Sequence, residues 1–239
     1  MELARLRDGH GLPSVGRAQP PMKTIVFAGP SLDGTRLRDH PALIHLPPIK
    51  RGDLARVGDC DIVVIIDGEF GQSDSVSPKE ILAVIEAGKT VVGAASMGAL
   101  RASELDRCGM IGVGWVYEYF RRQTVRHDAD VALAYSFFDY KPMTVPIVDV
   151  EYWMERTFVA GLIARKERAR VLKAARSIFF AERTMDSLLT SLRQTVGDQL
   201  LQSLLAFTGG DVPSIKSLDA EAAVRRVASL RGNYGGRLE

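Results

Sequence analysis

Residues 61–105, DIVVIIDGEFGQSDSVSPKEILAVIEAGKTVVGAASMGALRASEL, decide the fold. Asp61–Asp67 is an apolar run of strand length with no alternation, the pattern of a strand buried on both faces in a parallel sheet. A helix then opens at Ser77: Ser77 is a good N-cap, Pro78 suits the first helical position, and Glu80 completes a capping box. Ile81, Leu82, Val84 and Ile85 form its apolar stripe, and Gly88 ends it. Lys89–Gly93 is the next strand and Met97–Leu105 the next helix. The order strand, helix, strand, helix implies right-handed crossovers, hence an α/β fold with a mainly parallel sheet flanked by helices.

Working outward, Lys23–Ala28 (KTIVFA) is a first strand ended by Gly29-Pro30-Ser31. Ala42–Leu46 reads as a short strand, and Gly52–Val57 as a helix start. Downstream, Gly109–Gly114 reads as a loop, Trp115–Phe120 as an aromatic-rich segment and Val131–Tyr135 as an edge strand. Pro142 and Pro146 mark a joint. Beyond it the periodicity is helical, over Asp149–Ala164, Lys166–Ala181, Met185–Thr195, Gln199–Phe207 and Asp219–Leu230, the last capped by Ser217 or Asp219. The expected organisation is a flexible Gly/Pro/Arg-rich leader over 1–22, an α/β core over 23–146 and a C-terminal helical subdomain over 147–239.

Composition is that of a globular chain, with 46% hydrophobic and 25% charged residues among 239. The net charge is +2, from 31 basic and 29 acidic residues, which argues against a nucleic-acid partner. Two cysteines, Cys60 and Cys108, fit a reducing compartment. The histidines form no zinc pattern, and neither a metal nor a cofactor is expected. No apolar run approaches the roughly 20 residues needed to span a bilayer. The N-terminus has no hydrophobic signal region. The expectation is a soluble cytoplasmic protein.

The chemical signal lies in TVVGAASMGALRASEL, residues 90–105. A strand runs into Ala94-Ala95-Ser96-Met97-Gly98 and a helix follows at once. Small residues two before and two after the serine are what a nucleophile elbow needs, because the sharp turn leaves no room for side chains there. The helix N-terminus, beginning at Met97, offers backbone N–H groups to an oxyanion. The bland alternative is a serine that caps a helix. A serine needs a base. His127 has no supporting context. Lys79 sits in the first turn of its helix, where the dipole disfavours positive charge and partial burial would make a neutral amine available. Otherwise it is a surface lysine pairing with Asp74 or Glu80. Lys50 is a second candidate amine. Asp67-Gly68-Glu69 follow the buried strand at the edge where α/β sheets place ligands. The two carboxylates would orient a lysine or hold a cation, or are simply loop residues. Gly29 and Ser31 would supply a second oxyanion N–H, and Arg101 faces an anionic substrate or solvent.

Together GPSL (29–32), PPIKRGD (47–53), IIDGEF (65–70), SPKEIL (77–82), GAASMGALRASEL (93–105) and GMIGVG (109–114) resemble the core of the TfuA family, in order and with compatible spacing, over roughly Val26 to Pro146. The resemblance implies an accessory role beside a YcaO enzyme that makes peptide-backbone thioamides. It implies recruitment of a precursor peptide and release of sulfur from a thiocarboxylated ubiquitin-fold carrier protein. It also implies a Ser–Lys pair, matching Ser96 and Lys79 here. Pro78 stands where relatives often carry histidine. A narrow groove lined by Gly29, Gly68 and Gly93 would suit a Gly-Gly carrier tail. A noncatalytic adaptor for a YcaO enzyme and a generic α/β serine esterase are the alternative readings.

Overall fold

The computed structural model describes residues 22–38, 40–71 and 73–232. The expected leader, Met22 apart, lies outside the described residues. Five strands form one parallel sheet: β1 (Thr24–Phe27), β2 (Ile44–Leu46), β3 (Ile62–Ile65), β4 (Thr90–Ala94) and β5 (Ile111–Val113), in the order β2-β1-β3-β4-β5. This is one of the two common doubly wound orders, with its topological switch point between β1 and β3. The central strand β3 is buried along its whole length, as its unbroken apolar run requires. Strand β5 falls where a loop was expected. It has three residues, one a glycine, and glycines on either side, so it carries little strand signal of its own. Val131–Tyr135 forms no strand; Tyr135 makes one antiparallel bridge, to Pro142.

Both faces of the sheet are covered, by helices far apart in sequence. On one face Ile25, Phe27, Val63, Ile65 and Val91 pack against α1 (Pro78–Glu86), α2 (Met97–Leu105) and α3 (Trp115–Arg122). On the other, Val26, Ile62, Val64, Ile66 and Val92 meet Ala220, Ala223, Val224 and Val227 of α8 (Ile215–Gly232). The period of two along each strand sorts these residues to the two faces. Between α3 and α8 run α4 (Ile147–Val159), α5 (Arg165–Ser177), α6 (Met185–Val196) and α7 (Asp198–Ala206). They share a separate core around Trp153, Met154, Val171, Leu188, Leu192 and Leu204. The helical region begins at Ile147, directly after Pro146. Its last helix, however, leaves the others and closes the second face of the sheet.

Helix α8 also starts four residues earlier than its periodicity indicated. Asp149 of α4 receives the Ile215 N–H at 3.0 Å and the Lys216 N–H at 3.4 Å, which caps the new first turn. Asp219 does not cap its own helix. Its carboxylate accepts the Trp115 and Val116 N–H groups at 2.8 and 2.7 Å and so caps α3. No described helix is long and apolar enough to cross a membrane.

Candidate active site

The turn from β4 into α2 is built on close backbone approach. The Ser96 N–H donates to Ala94 O at 2.7 Å, closing a three-residue turn around Ala95. Ala95 has φ +63°, a left-handed value that an alanine adopts only under strain. Gly98 then lets α2 lie against β3: a Cβ there would sit 1.7 Å from Ile65 O, and its N–H donates to Ile66 O at 3.2 Å. Gly93 allows the same approach from the strand side, where a Cβ would meet Gly98 O at 2.2 Å. Ser96 is 2% exposed and makes no side-chain capping bond to α2. The capping explanation of this serine therefore does not describe it. The Met97 N–H, at the first position of α2, has no hydrogen-bond acceptor among the described residues.

Ser96 lines a cavity of about 400 Å³ at the carboxyl edge of the sheet, with Pro30, Asp67, Glu69, Tyr135 and Lys216. The walls are mostly apolar, so charges inside interact strongly. Asp67, at the switch point, is buried and fully engaged. Its Oδ2 accepts the Gly29 and Ser31 N–H groups, both at 2.9 Å, and its Oδ1 accepts the Ser31 hydroxyl at 2.7 Å. The oxyanion donors expected at Gly29 and Ser31 are thus committed to this carboxylate. Glu69 accepts the Tyr135 hydroxyl at 2.7 Å. Burial, and then the carboxylate it donates to, push that phenol above its ordinary range.

The other expected residues are placed elsewhere. Lys79 is exposed on α1, does not line the cavity and forms no ion pair among the described residues. Glu80, its suggested partner, is spent on the capping box with Ser77 and on the Gly52 N–H at 2.6 Å. Arg101 staples α2 to the preceding loop, donating to Val76 O at 2.8 Å and to the Ser75 hydroxyl at 2.9 Å. Lys50 and His127 are exposed and outside the cavity. Of the glycines expected to line a groove, only Gly68 reaches the cavity. Gly29 and Gly93 are small because Pro48 and Gly98 press on them.

Sequence reasoning missed Lys216, the second residue of α8. It is 3% exposed, and its Nζ donates to Val131 O at 3.0 Å. Burial lowers its pKa against the opposing pull of Asp67 and Asp149. A second cavity of about 220 Å³, lined by Ser31, Asp149 and Ser214, adjoins it. Burial pushes the Asp149 carboxyl up to about 7, against Lys216 and the α8 N–H groups. The signal was present in SIKSLD (214–219): a lysine in the first turn of a helix, the same anomaly that drew attention to Lys79. It was hidden by the late start assigned to the helix.

The fold is thus a parallel α/β sheet that carries a serine on a strained strand-to-helix turn, beside a cavity at its carboxyl edge. More specifically, residues 67–184 match the family described as TfuA-like protein. The match includes Ser96 and Lys79 and runs on through α4 and α5, past the last motif read from the sequence. It stops before α8. No curated protein matches the chain. The family supports a thioamidation-associated accessory role in general, and TfuA-like proteins associate with YcaO-type proteins in general.

Proposed function

We propose that this protein releases sulfur from a thiocarboxylated ubiquitin-fold carrier protein, with Ser96 as the acyl acceptor, and hands it to a YcaO enzyme modifying a precursor peptide. The observation that carries the reading is Ser96 itself: held at a strained turn, not used as a cap, and facing a cavity with a buried amine. A thiocarboxylate is an acyl group whose sulfur departs readily only as hydrosulfide. Ser96 Oγ forms a bond to the carbonyl carbon and the C–S bond breaks. The hydroxyl proton passes to a base, which returns a proton to the departing sulfur. Water then attacks the acyl-serine, its oxygen stays with the carrier carboxylate, and Oγ recovers its proton. The sum is thiocarboxylate plus water giving carboxylate plus hydrogen sulfide. On this reading the Met97 N–H, at the start of α2, is the donor assigned to the tetrahedral oxyanion.

The test is sulfide release from a carrier bearing a C-terminal thiocarboxylate, with no YcaO enzyme present. Catalytic release supports the reading. Stimulation of thioamide formation with no release of its own would make the chain a noncatalytic adaptor. Turnover of small activated esters with no action on the carrier would make it a generic esterase.

A further inference from the structure

The base for this serine has two lysines in contention, and the fold separates them. Lys79 lies inside the family-matched segment but is exposed on α1 and away from the cavity. Lys216 lies outside the matched segment, on the helix that returns from the C-terminal region to close the sheet. Its side chain is buried, lines the same cavity as Ser96 and is held by Val131 O. We propose that Lys216 of α8 is the general base that activates Ser96, so that the C-terminal helix completes the active site.

Three features favour proton exchange at this amine over a fixed charge. It stands in the first turn of α8, where the helix dipole opposes a positive charge. It is fully desolvated, which is the largest influence on it and acts in the same direction. The two carboxylates near it, Asp67 and Asp149, pull its pKa up, but neither forms an ion pair with it among the described residues: Asp67 is hydrogen-bonded to Gly29 and Ser31, and Asp149 caps α8. In the step, the neutral Lys216 amine accepts the Ser96 hydroxyl proton as the Oγ–carbon bond forms. The resulting ammonium then protonates the sulfur as the C–S bond breaks.

This inference rests on Ser96 being nucleophilic, and its test avoids the carrier protein. The full chain is incubated with a fluorophosphonate probe. Phosphonylation forms an Oγ–P bond, expels fluoride and requires only an activated serine. Wild-type protein should label at Ser96. Lys216→Met keeps the apolar stem without a charge, and Lys216→Arg keeps the charge without the ability to deprotonate. Each variant that folds by near-UV circular dichroism should label about 100-fold more slowly or worse. Lys216→Arg serves should Lys216→Met not fold. Labelling near the wild-type rate in either folded variant overturns the proposal. So does loss of labelling in Lys79→Met but not in Lys216→Met, or an unreactive Ser96 in the wild type. Lysine-dependent labelling without sulfide release would leave Lys216 in place and remove only the carrier as substrate.

Discussion

Replacing Gly98 by alanine should destabilise the protein and disable the site together. The new Cβ would lie 1.7 Å from Ile65 O and 2.6 Å from Ile65 C, both backbone atoms of the central strand. Ordinary contact needs about 3.5 Å or more, so α2 must retreat from β3 by roughly 1.5–2 Å. Overpacking of this kind costs about 1–3 kcal/mol. The Gly98 N–H to Ile66 O bond at 3.2 Å would be lost as well, for about 1 kcal/mol more. Alanine recovers up to about 1 kcal/mol through helix propensity. The net expectation is a loss of about 1–3 kcal/mol, which for a chain of this size lowers Tm by roughly 3–10 °C. Chemistry should suffer more, because misplacing Ser96 by about 1 Å costs on the order of 100-fold. Denaturant titration and fluorophosphonate labelling of the same sample measure the two effects. Stability within about 0.5 kcal/mol of wild type, with normal labelling, would refute the close packing of the elbow on β3.

Two further outcomes follow from the buried carboxylates. Asp67→Asn leaves one acceptor oxygen where three donors converged, so stability should fall by about 2–3 kcal/mol in denaturant titration; an unchanged midpoint would show that the switch-point network is not needed. Asp219 is raised to about 6 by burial, against the α3 N–H groups it accepts. The folded protein therefore holds that proton more tightly than the unfolded chain, so the contribution is full below pH ~4 and is lost as pH rises through ~6, on the order of 3 kcal/mol in all. Stability curves across this window should be flatter for Asp219→Asn than for wild type, and parallel curves would contradict the assignment.

The fold was legible wherever local pattern and tertiary role agreed. The apolar run of β3, the capping box of α1 and the elbow residues each state their structure locally, and each is where it was expected. What could not be read is what depends on distant partners. Helix α8 begins early because Asp149, on α4, caps it from 66 residues away. Asp219 caps α3 from more than 100 residues away. For the same reason the sharp turn at Ser96 was visible and the burial of Lys216 was not: the turn announces itself by the small residues beside the serine, whereas the lysine gains its environment only when α8 closes the sheet. Gly29 and Ser31 illustrate the reverse error. Their loop has the form of an oxyanion donor, but Asp67 takes both N–H groups.

The central claim is that Ser96 carries the acyl group. The change Ser96→Ala removes one hydroxyl that forms no capping bond, so the fold should be retained. Sulfide release from carrier thiocarboxylate should then fall by about 10³-fold or more, with the melting temperature unchanged. A folded Ser96→Ala protein that releases sulfide at the wild-type rate would contradict the account.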